Sequence, residues 1–185
     1  MLIAYQRIDL YICLSINMKK IYLSLGTNQG SRLENLQTAC IELSNYAIKI
    51  KTSSPIYETA PWGKSDQPWF YNLILDIEST YGPEQLLEIC LGIEKKLGRI
   101  RKIKWDQRII DIDILYFGDL VIETKYLKIP HPEIQNRRFN LLPLVVLNPL
   151  LIHPILFKSQ KELLAHCDDN LACHLTSKKL DHGLF

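Results

Sequence analysis

Nowhere in its 185 residues does the chain hold an apolar run long enough to cross a bilayer, so no segment reads as a membrane-spanning helix. It also has no C-x-x-C pair. Its five cysteines, Cys13, Cys40, Cys90, Cys167 and Cys173, are an odd number, which excludes a fully paired disulfide framework. Cys40 and Cys90 fall on apolar helical stripes, as expected of free buried thiols in a reducing cytoplasm. Charge of one sign is not in excess: 22 Lys and Arg face 20 Asp and Glu, a net +2. That balance argues against a dedicated nucleic-acid binder and makes any basic patch a local feature. Internal repeats, low-complexity tracts and clear linkers are absent as well. Methionine is scarce, with Met1 and Met18 alone. Residues 1–17 carry an apolar stretch over 10–16, but Arg7 and Asp9 interrupt the region and no small-residue cleavage site follows. The expectation is an N-terminal extension over 1–18, with Met18 as the natural start.

With 47% apolar and 23% charged residues, the composition is that of one globular domain able to bury a core without disulfides. The run Ile21-Tyr22-Leu23-Ser24-Leu25 before Gly26-Thr27-Asn28 reads as a buried strand and a turn. Ser31 and Glu34 predict a capping box, and Leu33, Leu36, Cys40 and Leu43 give the following helix its apolar face. Residues 48–58 read as an extended stretch with Pro55 near its end. In 71–77 the odd positions are apolar, marking a strand whose opposite face carries Phe70 and Asn72. Gly82-Pro83-Glu84 predicts a helix start, Leu86, Leu87, Cys90, Ile93 and Leu97 its stripe, and Gly98 its C-terminal cap. A strand over 109–117 follows, then added β structure over 120–127 and a short helix over 139–147. The order is β-α-β-β-α-β. The fold class expected is therefore α/β (α+β), a ferredoxin-like core with a mostly antiparallel sheet, helices packed on it and a C-terminal β/α extension.

The chemistry concentrates around that last strand. Asp111 and Asp113 are two apart, so both carboxylates project from one face while Ile110, Ile112 and Ile114 point into the core. Adjacent carboxylates repel, and a divalent cation between them relieves the repulsion. Magnesium takes one or two carboxylates together with waters and phosphate oxygens. Five cations precede the pair: Arg99, Arg101, Lys102, Lys104 and Arg108. A basic segment running into an acid pair is what a magnesium-triphosphate site needs, and arginine adds bidentate phosphate recognition. A solvated charged loop is the bland alternative. Gly63-Lys64-Ser65 resembles the end of a P-loop, but Glu58 stands where its first glycine belongs and Pro61 and Trp62 occupy the loop. His166, Cys167, Cys173 and His174 fit no standard zinc spacing.

Several separated motifs in one order carry a resemblance. They are Ser24-Leu25-Gly26-Thr27-Asn28, Tyr57-Glu58-Thr59-Ala60-Pro61-Trp62-Gly63, Asp66-Gln67-Pro68 with Asn72, and Glu94 with Gly98-Arg99-Ile100-Arg101. Arg108-Ile109-Ile110-Asp111-Ile112-Asp113-Ile114, Ile129-Pro130-His131-Pro132 and Arg137-Arg138-Phe139 complete the set. From about residue 21 to 149 the chain resembles the 6-hydroxymethyl-7,8-dihydropterin pyrophosphokinases of folate biosynthesis. The resemblance implies a pyrophosphokinase domain over 19–157, followed by a tail over 158–185.

It implies that ATP donates its terminal diphosphate to the pterin alcohol, releasing AMP, with two magnesium ions held by Asp111 and Asp113. Arg99 and Arg108 match the family's catalytic arginines. The pterin pocket maps to Thr59, Ala60, Pro61, Trp62, Phe70, Asn72 and Phe139, where a flat heteroaromatic ring lies between aromatic faces and Asn72 offers both a donor and an acceptor. Nucleotide contacts map to Glu94, Arg101, Lys102, Trp105, Arg108, Ile114, His131 and Arg137. The chain departs from the family pattern at Gln107, where a proline or small residue is usual, and at Trp62, which replaces a smaller apolar residue. A cytoplasmic monomer that binds neither nucleic acid nor membrane is expected. An RNA-binding module on the same layout, and a pterin-binding protein without catalysis, are the alternative readings.

Overall fold

A computed structural model describes residues 20–63, 65–99, 107–181 and 183. The expected extension over 1–18 lies outside them. Strand β1 (Ile21–Thr27) is buried along its whole length. It lies between β4 (Phe70–Glu78) and β5 (Asp111–Phe117), both antiparallel to it. Both faces of this strand are covered, so its burial does not alternate even though Ser24 and Gly26 interleave with Leu23 and Leu25.

The extended stretch at 48–58 divides into β2 (Lys49–Ser53) and β3 (Tyr57–Thr59). Both pair with β4, β2 along Leu75 to Glu78 and β3 along Phe70 to Asn72. The break falls at Pro55, which has no N–H to give a ladder. Ser54 fills the gap: its N–H donates to Ile74 O at 2.8 Å and its hydroxyl oxygen accepts from Ile74 N at 2.9 Å. The sheet order β5-β1-β4-β3, with β2 also on β4, is the ferredoxin-like arrangement the element order implied.

Helices α1 (Arg32–Asn45) and α2 (Pro83–Lys96) cover one face of the sheet. Leu36, Ala39, Cys40 and Leu43 from α1 and Leu86, Cys90 and Ile93 from α2 meet Leu23, Leu25, Leu75 and Ile112. Each fully buried leucine or isoleucine there contributes roughly 1.5–3 kcal/mol. Ser31 precedes α1, but its side chain makes no capping bond, so the expected capping box is absent. The side chain of Asn35 ties the turn instead, donating to Thr27 Oγ1 at 3.1 Å and Gln29 O at 2.7 Å. Pro83 opens α2 as expected, and Gln85 Oε1 accepts from Gly82 N at 3.2 Å. Gly98 follows α2 at φ +94°, a conformation in which a side chain is strained.

The other face carries α3 (Arg138–Leu147) and α4 (Gln160–Ala165). They pack on Tyr22, Ile74, Leu115 and Tyr116 through Leu141, Leu144 and Leu163. A β-bulge delivers two of these residues. The register passes from Tyr22↔Tyr116 to Leu23↔Ile114, so Leu115 is an extra residue on β5. Leu115 and Tyr116 consequently both reach the second layer, while Ile112 and Ile114 stay under α1 and α2.

The added β structure after β5 is a small hairpin of β6 (Ile122–Glu123) and β7 (Lys128–Ile129), ending slightly beyond the expected 120–127. The stretch set apart as a tail continues the fold. Ser159 caps α4 with a reciprocal Glu162 box, and β8 (Cys173–Leu175) adds to the free edge of β3. Leu163 and Leu180 are buried in the two cores. His174 in β8 stacks on Trp69 with ring centroids 5.6 Å apart, and His166 Nδ1 is 2.7 Å from Glu162 O. No metal-binding group of three His, Cys, Asp or Glu side chains occurs among the described residues. Nor is any helix among them long and apolar enough to cross a membrane.

Candidate active site

The sheet brings one row of small and polar positions to a single end. Gly26 pairs with Asp111 on one side and Asn72 on the other, Ser24 lies opposite Asp113, and Tyr57 lies opposite Asn72. Beside that row is a cleft of ≈ 530 Å³, open to solvent. Thr59, Ala60 and Trp62 wall it from the β3 side, Phe70 and Asn72 from β4, and Arg137 and Phe139 from the start of α3. Arg108, Asp111 and Asp113 complete its lining.

Asp111 is locked between two arginines: Arg99 donates to Oδ1 and Arg108 to Oδ2. Burial alone would raise its carboxyl, but Arg108 and Arg99 outweigh it and hold the group below the usual range. Arg99 shows the matching shift. Burial works to lower it, and Asp111 and Glu94 hold the guanidinium above its ordinary value. Asp113 is different. It forms no close ion pair among the described residues, and burial followed by the charge of Asp111 pushes its carboxyl up to about 7. Arg137 opposes that rise through space. A carboxylate that ionises reluctantly beside a second one, facing an open cleft, fits a hard divalent cation that would share the pair's charge.

The ends of the basic segment are anchored. Asn28, 2% exposed, accepts from Arg108 N through Oδ1 at 2.9 Å and donates its own N–H to Arg108 O at 3.1 Å. Its Nδ2 donates to Gln67 Oε1 at 3.0 Å and Pro68 O at 3.1 Å. At the other end Glu94, 2% exposed, accepts from Arg99 and from Ile112 N at 2.8 Å. Glu94 therefore ties α2 to β5, the strand that carries Asp111 and Asp113. It lies behind the cleft wall rather than on its surface.

The residues expected around a pterin are largely assembled together: Thr59, Ala60, Trp62, Phe70, Asn72 and Phe139 line the cleft, and Pro61 is buried beside them. The residues expected around a nucleotide are more dispersed. Arg108 and Arg137 line the cleft, whereas Ile114 is 4% exposed within the core under α1 and α2. That position follows from strand alternation, which turns Ile114 away from Asp113. His131 lines a second cavity beside β7. Burial, helped by Arg137, lowers its imidazole to about 4, leaving it neutral at pH 7. Arg101, Lys102 and Trp105 lie outside the described residues.

Ser24 and Gly26 line the cleft without having been singled out as site residues. Their signal is a polar and a glycine position alternating with Leu23 and Leu25. A Cβ on Gly26 would lie 2.6 Å from Asn72 Oδ1, so only glycine lets the amide lie across β1. Asn72 in turn donates to Thr59 Oγ1 at 2.7 Å. Asn140 supports the site from behind, accepting from the Ser24 hydroxyl at 2.9 Å.

A carboxylate pair, converging arginines and an aromatic slot, set at one end of a ferredoxin-like sheet, define a phosphate-transferring enzyme with a planar acceptor. A model of the family "7,8-dihydro-6-hydroxymethylpterin-pyrophosphokinase (HPPK)" matches residues 22–149, and this chain belongs to that family. It is 40% identical to the Aquifex aeolicus 2-amino-4-hydroxy-6-hydroxymethyldihydropteridine pyrophosphokinase over 78% of this chain and 90% of that protein. Identity to the Bacillus subtilis protein of the same name is 41%, over 66% of this chain and 74% of the relative. The Schizosaccharomyces pombe folic acid synthesis protein fol1 is 41% identical over 81% of this chain, which spans 21% of that longer protein. The crystal structure of wild-type Plasmodium falciparum HPPK-DHPS superposes with a TM-score of 0.65 at 21% identity. That match covers 78% of this chain and 44% of the other, and it is a likeness of fold.

Proposed function

We propose that the chain transfers the terminal diphosphate of ATP to the hydroxymethyl oxygen of 6-hydroxymethyl-7,8-dihydropterin, giving the pterin diphosphate and AMP in folate biosynthesis. The observation that carries this reading is the placement of Asp111 and Asp113 on the floor of a cleft whose walls are Phe70, Trp62 and Phe139. The aromatic walls hold the flat ring, and Asn72 and Thr59 present amide and hydroxyl groups to its polar edge. The alcohol oxygen is thereby aimed at the β-phosphorus; a new O–P bond forms there as the bond to the α-phosphate oxygen breaks.

Asp111 and Asp113 would hold two magnesium ions, which when bound supply Lewis-acid stabilisation of the attacking and leaving oxygens. Arg99 and Arg108 offset charge on the phosphates as AMP departs. Both donate to Asp111, which sets their guanidinium groups beside the acid pair where the phosphates would lie. Arg137 extends the cationic wall beside Asp113, and its Nε is buried without a partner among the described residues. His131, Arg101, Lys102, Trp105 and Ile114 are assigned to the nucleotide side, with Glu94 supporting Arg99 from behind. The protein is read as a cytoplasmic monomer, in keeping with the free buried thiols of Cys40 and Cys90.

The test is identification of the nucleotide product after incubation with ATP, magnesium and hydroxymethyl-dihydropterin. AMP is the expected product. ADP would replace this reading with single-phosphate transfer, and no turnover would leave a binding protein.

A further inference from the structure

The two aromatic walls of the cleft come from distant parts of the chain. Phe70 stands on β4 behind the β3 side, and Phe139 stands in the first turn of α3. Residues 169–175 bond to both sides, and they lie beyond the stretch 22–149 that the family model matches. At one end Asp169 Oδ2 accepts from Arg138 N at 2.9 Å, while its Oδ1 accepts from Leu171 N at 3.0 Å. Arg138 opens α3, and Arg137 before it makes no side-chain capping bond. A carboxylate is thus brought to the positive end of the helix from 31 residues away. At the other end Ala172 O accepts from Ala60 N at 2.9 Å, and Cys173 lies opposite Thr59 in the β8–β3 pairing. Thr59 lies in turn opposite Phe70. His174 stacks on Trp69, the residue before Phe70, with the rings 6° from parallel. A line of bonded and strand-paired neighbours therefore runs from Phe139 through Asp169, Ala172 and Thr59 to Phe70.

We propose that residues 169–175 are a clasp that sets the spacing of the aromatic slot, with Asp169 as a positioning residue for the pterin ring. This rests on the assignment of the cleft to the pterin. Asp169 and Ala172 are three positions apart, so the tether between the two anchors extends to at most about 11 Å. The start of α3 cannot swing further from β3 than that without breaking a bond. The body of α3 is held by Leu141 and Leu144 in the core, but Phe139 belongs to the first turn, where helices fray. Asp169 keeps that turn ordered, so binding a flat ring between Phe70 and Phe139 does not carry the cost of ordering it. Asp169 does this from outside the cleft lining, through Arg138 N.

The experiment is steady-state kinetics of the whole chain, following AMP release with the pterin varied at saturating magnesium-ATP and then with ATP varied at saturating pterin. It compares the unaltered protein with Asp169→Ala, Asp169→Asn and an insertion of two glycines between Asn170 and Leu171. In Asp169→Ala the KM for the pterin rises roughly 2- to 30-fold, the span of one lost helix cap, and the KM for ATP changes less. Asp169→Asn keeps a side-chain oxygen for Arg138 N and recovers most of the loss. The insertion leaves both anchors chemically intact and lengthens only the tether. It raises the KM for the pterin with the melting temperature nearly unchanged, because a longer loop costs little stability. An unaltered pterin KM in both Asp169→Ala and the insertion overturns the clasp. So does a rise confined to Asp169→Ala, which would leave only a local cap. Equal rises for pterin and ATP in step with a falling melting temperature overturn it as well, being the pattern of general destabilisation. These outcomes leave the pterin assignment standing; an unaltered protein that releases no AMP with the pterin removes that assignment and the clasp together.

Discussion

The two faces of the sheet are made of different material. Under α1 and α2 the packing is mostly hydrocarbon and thiol: Leu23, Leu25, Leu36, Cys40, Leu75, Leu86, Ile93 and Ile112 meet there, and the buried Glu94 of α2 is the polar exception at the edge, held by Arg99 and Ile112 N. Under α3 and α4 the contact is laced with directed bonds. Asn148 Nδ2 donates to Tyr22 OH at 3.2 Å, Gln160 Nε2 to Tyr116 OH at 2.8 Å, and Ser24 Oγ to Asn140 Oδ1 at 2.9 Å. Tyr22 and Tyr116 meet edge to face with centroids 6.3 Å apart, and His153 packs edge-on to Tyr116 at 5.7 Å. Apolar contact is non-directional and accommodates small slides, whereas hydrogen bonds fix an angle. Helix α3 brings Phe139 and follows directly on Arg137, so the directed face is the one that sets the cleft. The dry face supplies stability, and the laced face supplies position.

The sharpest way to break that comparison is to alter the site without the fold. Asp113→Asn keeps the shape, removes the charge and relieves the repulsion from Asp111. Turnover is expected to fall about 10²- to 10³-fold, with thermal stability unchanged or raised. A variant that keeps full activity would remove the acid pair from the chemistry. The converse substitution is Leu36→Ala, on the dry face and 0% exposed. It should lower unfolding free energy by about 2–5 kcal/mol in denaturant titrations while kcat of the folded fraction stays near normal. A large loss of kcat at full folding would show that the faces are not separable in this way.

The smallest expected effect is in pH. The Asp113 carboxyl stands at about 7, so below that value a bound proton must leave before a cation can bind. Apparent magnesium affinity should fall about tenfold per pH unit below 7 and level off above it, measured by calorimetry without substrate. Asp111 is held below the usual carboxylate range and His131 at about 4, so neither changes charge across pH 5–8 to add to the slope. A flat profile from pH 5 to 8 would mean that Asp113 is ionised throughout.

How far the site was legible in the sequence follows from the same division. Alternation within single strands placed Asp111 with Asp113 and Phe70 with Asn72, because side-chain direction along a strand depends on local geometry alone. It did not reveal that Leu115 is a bulge, since a bulge exists only relative to a partner strand. Nor did it reveal that Ser54 substitutes for the missing donor of Pro55. Ser24–Asn140 spans 116 residues, and no local pattern encodes it. The capping box at Ser31 was a local pattern that tertiary context overrode, with Asn35 reaching back to Thr27 and Gln29. In the tail the local signal was weak because α4 and β8 are short; their stability comes from packing on α3 and from pairing with β3.

The sequence by itself determined the order of elements, the acid pair on one strand face and the ordered motifs of the pyrophosphokinase family. Each is written in spacing along the chain. Only the tertiary structure decided that Asp111 is neutralised by both Arg99 and Arg108 while Asp113 faces the cleft with its carboxyl raised, and that Glu94 stands behind the wall. Those outcomes depend on desolvation and on distances between residues far apart in sequence, which spacing along the chain does not carry.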